Sequence, residues 1–144
     1  MSESKIQFGT LLSGLFCLLV AVPSQAQTPT VAATAKTSQE TPDMKRGRLL
    51  YIQCRACHEV QAGLPHKVGP NLNGMLGRKA GTAAGFTQYS IALRGWGQVW
   101  DLAQLDKWIE KPSSLVPGNS MAFAGLAAKR DRAALIAYLQ ATTK

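Results

Sequence analysis

The chain has little cysteine, few acidic residues and no long apolar run. Its 144 residues include three cysteines, which cannot all pair within one chain, so a scaffold built on several disulfides is excluded. The longest apolar run, residues 8–22, is shorter than the ~18–20 residues that cross a bilayer. Lys and Arg number 16 against 8 Asp and Glu, a formal net charge of +8. This basic balance favours an acidic protein partner, nucleic acid or a membrane surface, without choosing among them.

The N-terminal residues 1–26 have the pattern of a secretory signal peptide. A short polar start precedes the apolar run, and Pro23 and a small-residue site ending at Ala26 follow it. We expect cleavage after Ala26, which would remove Cys17. The alternative is an uncleaved anchor. Either way the segment predicts export, with the bacterial periplasm as the favoured compartment.

Residues 27–42 are predicted to form a flexible linker, because they are rich in Thr and Ala, contain two prolines and show no apolar period. The folded domain is then residues 43–144. A domain of this size buries only about 60–70% of the surface of its unfolded chain. Additional material in its core would therefore stabilise it.

Apolar spacing predicts helices and no strands. Residues at helical spacing recur over Lys45–Ala56 and over Lys129–Thr142. A third helix begins after Asp101, a good N-cap, and ends before Pro112. The long Gly-rich and Pro-rich stretch Gly63–Gly97 shows no period of two. A loop of that length inside a small domain is uncommon, and wrapping a large apolar ligand would account for it.

The segment Cys54-Arg55-Ala56-Cys57-His58 carries the chemistry. Its two cysteines, three residues apart, project from one side of a helix end, and His58 follows directly. This spacing suits a flat ligand that both sulfurs hold covalently and that an imidazole coordinates. C-x-x-C-H is the attachment signature of c-type haem. The motif therefore predicts one covalent haem, with His58 as an axial ligand of its iron.

Two other readings of the cysteine pair are weaker. A thioredoxin-like redox pair lies beside a βαβ unit, which this chain does not predict. A structural zinc site needs four ligands, and the only histidine and cysteine candidates of the mature chain are Cys54, Cys57, His58 and His66. Adjacent Cys57 and His58 would crowd a tetrahedral site.

The sixth iron position has four candidate ligands in the mature chain: Met44, Met75, Met121 and His66. Met121 is favoured, because it lies 63 residues beyond His58, in a loop that can return on the far side of a ring. Met44 begins the helix of the cysteines, and His66 is too close to His58 to reach the opposite face easily. Met75 is expected in the core.

Residues 43–144 resemble the class I c-type cytochromes, of the mitochondrial cytochrome c and bacterial cytochrome c2 type. The resemblance rests on motifs in the family's order, which are Cys54-x-x-Cys57-His58, Gly69-Pro70-Asn71-Leu72-x-Gly74, Gly77-Arg78-Lys79-x-Gly81, Gly85-Phe86, Trp100, Pro117-Gly118-x-x-Met121-x-Phe123-x-Gly125 and Leu135-Ile136-Ala137-Tyr138-Leu139. It implies an all-α fold of three to five helices wrapped around one covalently bound haem c.

The resemblance also assigns roles to single residues. Cys54 and Cys57 attach the haem, His58 and Met121 are the axial ligands, and the carbonyl of Pro70 accepts the ring N–H of His58. Four further residues are expected near the haem propionates: Arg78, Tyr89, Trp100 and Asn119.

The sequence departs from the family pattern at three of its positions. The segment around Tyr89 carries one residue more than usual, Trp108 replaces a tyrosine near the ligand sulfur, and Asn119 replaces a threonine. By the same resemblance, His66 is a structural residue that clamps two loops.

The implied function is single-electron transfer between respiratory or photosynthetic complexes, by a monomer that is not an enzyme. Its partners would be redox proteins, with no nucleic acid and with membrane contact only through an uncleaved N-terminus. One alternative is the haem subunit of a larger redox enzyme. Another is a gas-responsive or peroxide-responsive haem protein in which Met121 leaves the iron.

The positive charge is predicted to lie away from the haem edge. Positions that carry lysines in mitochondrial relatives are here mostly uncharged, namely Gln53, Ser113, Ser114, Ser120, Ala127 and Ala128. Only Lys67 remains, with Lys129 at the border. The other bases cluster near the terminal helices, where a solvated helix face is expected: Lys45, Arg46, Arg48, Arg130 and Arg132.

Overall fold

The computed structural model describes residues 41–144, which form five α-helices joined by long loops. The helices are α1 (Pro42–Arg55), α2 (Ile91–Trp96), α3 (Leu102–Glu110), α4 (Pro112–Leu115) and α5 (Lys129–Thr142). Within that range β pairing is limited to one isolated bridge between Lys79 and Val99. The predicted all-α class is confirmed. The predicted signal peptide, and the predicted linker up to residue 40, lie outside the described residues.

Helix α1 begins three residues earlier than the apolar period predicts. The hydroxyl of Thr41 accepts a hydrogen bond from the backbone N–H of Met44, 3.2 Å away. Pro42 stands at the start of the helix, where its missing N–H costs nothing. Pro42, which the sequence analysis placed in the linker, is therefore the first residue of α1.

Helices α2 and α4 were not predicted. Helix α2 lies in the long Gly-rich stretch and is only six residues long, too short for a helical period to emerge. The hydroxyl of Ser90 caps it by accepting from the backbone N–H of Leu93 at 3.1 Å. Helix α3 ends before Pro112 as predicted, but Pro112 then opens the four-residue helix α4.

Helices α1 and α5 cross in direct contact. Gly47 is buried, and a Cβ at this position would overlap the carbonyl oxygen of Ala134 and lie 2.7 Å from the Cβ of Tyr138. The rings of Tyr51 and Tyr138 meet beside the crossing, with centroids 5.3 Å apart. This crossing joins the two ends of the described chain.

The helices and loops bury one apolar core. Its members include Tyr51, Met75, Trp108, Leu135 and Leu139, each less than 10% exposed. Among residues 41–144, no helix is both long enough and apolar enough to span a membrane.

The helix crossing generates a stability prediction. Gly47→Ala should lower the free energy of unfolding by about 2–3 kcal/mol, because the added methyl group meets backbone that cannot move aside easily. Gly95→Ala in α2 is the matched control, since nothing lies within 4 Å of a Cβ there. The control should be neutral or stabilising by up to ~1 kcal/mol. Urea unfolding of both holoproteins measures the difference, and equal midpoints would contradict the close crossing.

Candidate functional site

A cavity of about 240 Å³ lies between the end of α1, helix α3 and the loops on either side of them. All but one of the nine residues predicted for the site line it: Cys54, Cys57, His58, Pro70, Arg78, Tyr89, Trp100 and Met121. The exception is Asn119. The remaining lining is mostly apolar and includes Leu93, Leu105, Trp108 and Phe123. Residues that are far apart in the sequence thus converge on one apolar space.

Cys54 and Cys57 are unpaired and half-buried at the end of α1. The carbonyl of Cys54 accepts from the backbone N–H groups of Cys57 and His58, at 3.0 and 2.9 Å. This tight turn sets the two thiols and the imidazole around the same cavity. Burial, reinforced by the charge that Cys57 would carry, raises the pKa of the Cys54 thiol to about 11. The turn brings the two sulfurs to one cavity, and burial disfavours a charged sulfur at Cys54. The site therefore suits sulfurs that are held as neutral thioethers.

The ring of His58 is fixed on one side by backbone. Its Nδ1 lies 2.7 Å from the carbonyl oxygen of Pro70, so the N–H is on Nδ1 and the lone pair is on Nε2. A Cβ at Gly69 would overlap this ring, so the close approach of that loop requires glycine. The hydroxyl of Tyr51 donates to the carbonyl of His58 at 2.8 Å and holds its backbone.

The electrostatic surroundings favour a neutral His58. Burial lowers its pKa below the usual value, the hydrogen bond to Pro70 acts in the opposite direction, and the charge of Lys67 lowers it further. A neutral imidazole is the form that binds a metal. A partner on Nδ1 also orients the ring and raises the basicity of the other nitrogen.

Met121 lies on the cavity wall in the loop between α4 and α5. The backbone N–H of Met121 donates to Oδ1 of Asn119 at 3.0 Å, and Nδ2 of Asn119 donates to the carbonyl of Val116 at 2.9 Å. The amide of Asn119 therefore shapes the turn that presents Met121. Asn119 was expected near a propionate, but the structure places its amide on the backbone of its own loop.

The other candidates for the sixth iron position are arranged differently. His66 uses both ring nitrogens, since Nδ1 accepts from the backbone N–H of Asn71 and Nε2 lies on the carbonyl of Ala84, each at 2.8 Å. This geometry fits the predicted loop clamp. Met75 is 4% exposed in the core, although it also reaches the cavity wall. Met44 does not line the cavity.

Three residues that carry hydrogen-bond donors, and that were expected near the propionates, line the cavity: Arg78, Tyr89 and Trp100. Arg78 donates to the carbonyl of Asn73 at 3.1 Å, which fixes its guanidinium. The hydroxyl oxygen of Tyr89 accepts from the backbone N–H of Ala83 at 3.2 Å, which leaves its own proton free to donate. Burial raises the pKa of Tyr89, so the phenol keeps that proton. The Arg78 guanidinium is a cation, and the Tyr89 hydroxyl and the Trp100 indole are neutral donors. Together these groups are suited to bind carboxylates.

Asn71, which stands in one of the family motifs but had no predicted role, is only 8% exposed. Its side-chain NH₂ donates to the carbonyls of Gln61 and Leu64, at 2.8 and 2.9 Å, and its Oδ1 accepts from the N–H of Asn73 at 2.8 Å. This one amide ties together the loop that supplies Pro70. Its signal in the sequence was a Pro-Asn step in a long loop, which is typical of a turn built on an Asn side chain.

Aromatic rings close the cavity beside α3. The ring centroids of Trp96 and Trp100 lie 5.2 Å apart, and those of Trp100 and Trp108 lie 5.3 Å apart. Such tilted contacts are the arrangement that large aromatic rings prefer. Trp108, at a position where the resemblance predicts a tyrosine, is thus part of a packed apolar wall.

The residues present fit a haem. Soft sulfur and imidazole donors favour iron in a haem, apolar walls suit a large ring, and the three donors suit its carboxylates. In the described range, 41–144, no cluster of three or more His, Cys, Asp or Glu side chains could hold a metal ion. The zinc alternative therefore has no donor set there.

Comparisons with known proteins find relatives of this chain. No protein-family model matches the chain. A cytochrome c of Guizotia abyssinica is 42% identical over 102 residues, which are 70% of this chain and 91% of that protein. A cytochrome c2 of Rhodomicrobium vannielii is 43% identical over 97 residues, covering 67% and 77%. A cytochrome c homolog of Bradyrhizobium diazoefficiens is 35% identical over 105 residues, covering 73% and 57%.

The cysteine pair generates the prediction for this site. Replacing either Cys54 or Cys57 with Ser should leave one thioether bond, and replacing both should leave the haem bound without any covalent link. Acid–acetone extraction followed by mass spectrometry of the polypeptide distinguishes the three states. Haem that stays attached to the double variant would show that another residue forms the link.

Proposed function

The chain belongs to the cytochrome c family, and on that premise we propose that its haem iron is held between His58 and Met121 in an exported electron carrier. The protein is a c-type cytochrome that carries single electrons on one covalent haem c. The observation that supports the ligand assignment is one cavity lined by both thiols, the His58 imidazole and the Met121 side chain.

The two proposed ligands account for a carrier rather than a catalyst. Haem supplies a one-electron Fe(II)/Fe(III) couple when it is bound. The soft thioether of Met121 favours Fe(II) and raises the potential, whereas His58 alone would leave one position open. With both ligands in place the chain offers no site for a substrate on the iron. We therefore propose that the protein has no enzymatic activity of its own.

The proposed compartment follows from the N-terminal segment. A signal peptide at residues 1–26 would export the chain, and the bacterial relative named cytochrome c2 supports the periplasm. The proposed partners are redox proteins, membrane complexes among them. The proposed state of the protein in solution is a monomer.

The proposed docking surface is the uncharged rim of the cavity. Five uncharged residues on this rim are both exposed and part of the cavity lining: Gln53, Val68, Gln88, Ser120 and Ala122. Lys67, the one cation that was expected at the rim, forms an ion pair with Glu59. Its amino group also donates to the carbonyl of Arg55 at 2.8 Å. Because its charge is compensated, this lysine adds little to long-range steering.

Exchange of the proposed distal ligand tests the assignment directly. Met121→Ala should produce a high-spin fraction and binding of carbon monoxide by the reduced protein. It should also lower the potential by at least ~0.1 V, within the ~0.8 V range that axial ligands cover. Absorption spectra and a redox titration measure these effects. Met75→Ala is the matched control and should keep a low-spin spectrum; the opposite pattern would transfer the ligand role to Met75.

The uncharged rim generates a prediction about docking. The rate of electron transfer to the natural partner should fall less than about tenfold from low to moderate salt, because charge near the reactive edge is what salt screens. Stopped-flow rates over a salt series measure this. The double variant Ala127→Lys/Ala128→Lys should introduce a steeper dependence. A fall of about a hundredfold or more in the unmodified protein would show that basic residues direct docking.

A further inference from the structure

Arg132 is a charged side chain in the interior of the domain. It lies on α5, and only 5% of its surface is exposed. Arg132 was expected on a solvated helix face, and that expectation is wrong. Arginine is almost never buried without partners, because its charge loses the solvation of water. The partners of Arg132 therefore indicate what it holds in place.

Two carboxylates of α3 meet this guanidinium. Nε of Arg132 donates to Oδ1 of Asp106 at 2.8 Å, and Nη2 donates to Oδ2 at 3.3 Å, so the pair is bidentate. Nη1 lies 3.2 Å from Oε1 of Glu110. Asp106 and Glu110 are four residues apart, so they share one face of the helix. Arg132 thus joins α5 to α3.

The same guanidinium also reaches the loop between α4 and α5. Nη1 donates to the carbonyl oxygens of Leu126 and Ala127, at 3.2 and 2.6 Å. These two residues form the returning limb of the loop that carries Met121. The backbone N–H of Leu126 donates to the carbonyl of Ile109 at 2.8 Å. The returning limb is therefore bound to α3 and to α5 at the same place.

The limb is held five residues after Met121, and the amide of Asn119 holds the turn two residues before it. A loop restrained on both sides of a residue keeps that side chain at a high effective concentration near its target. This restraint matters for a thioether, because it is neutral and has no charge to draw it to a metal.

We propose that Arg132 is a positioning residue for Met121: by joining α3, α5 and the returning limb, it keeps the thioether on the haem iron. The proposal rests on the proposed function, in which Met121 is the distal ligand. Lysine cannot replace arginine here, because an ammonium is a point charge and lacks the planar fork that serves a carboxylate and two carbonyls together.

Binding of imidazole to the oxidised holoprotein tests this role. Imidazole reaches the iron only when Met121 has left it, so the apparent Kd equals the intrinsic Kd divided by the open fraction. Arg132→Lys should increase that fraction and lower the apparent Kd about tenfold. A spectroscopic titration measures it in the absence of denaturant, and urea unfolding of the same variant measures global stability separately.

Arg46→Lys is the matched control. Arg46 lies on α1 and forms an ion pair with Asp131 of α5, so the same substitution there loosens a helix contact that does not involve the loop. Its apparent Kd for imidazole should stay within about twofold of the unmodified protein. A merely structural Arg132 would shift the urea midpoint and leave imidazole binding unchanged, and that result overturns the proposal.

A second variant keeps the test decisive if Arg132→Lys does not accumulate with haem. Asp106→Asn retains the arginine but removes one carboxylate charge, and it should lower the apparent Kd about threefold. An unchanged Kd in this variant also overturns the proposal.

Failure of the proposed ligand assignment gives a different result. If Met121 were not the distal ligand, Met121→Ala would leave the imidazole affinity unchanged. If Met121→Ala raises the affinity and the Arg132 and Asp106 variants do not, only the positioning role fails.

Discussion

A flat haem ring, which we propose is held on both faces, is the constraint on which the rest of this fold depends. The proposed ligands, His58 and Met121, are 63 residues apart in the sequence, and the chain between them has to travel around the ring. That path accounts for the long stretch Gly63–Gly97, which contains only the short helix α2. In a domain of about a hundred residues, the haem also supplies apolar material that the chain lacks.

The two proposed ligands are positioned by different means. On the side of His58, backbone groups fix the ring, through the carbonyl of Pro70 and the close passage of Gly69. On the side of Met121, side chains fix the backbone, through the amide of Asn119 and the guanidinium of Arg132. An imidazole needs orientation of a rigid ring, whereas a flexible thioether depends on the position of its loop. The arrangement therefore suits each ligand's chemistry.

Local signals in the sequence predicted much of this molecule; what they missed are short helices and contacts between distant segments. The motif from Cys54 to His58 predicted the haem because its geometry is contained in five residues. Helices α1, α3 and α5 were predicted from apolar spacing, but α2 and α4 are too short to show a period. Arg132 resembled any exposed base, since nothing near it in the sequence shows that Asp106 and the carbonyl of Ala127 surround it.

X-ray absorption at the iron edge, on oxidised and reduced protein, tests the central claim most directly. The account predicts six-coordinate iron in both states, with five nitrogen ligands and one sulfur ligand. Coordination by the same atoms before and after electron transfer is what a carrier with two fixed axial ligands requires. A five-coordinate iron, or a sulfur ligand that is lost in either state, would contradict the account.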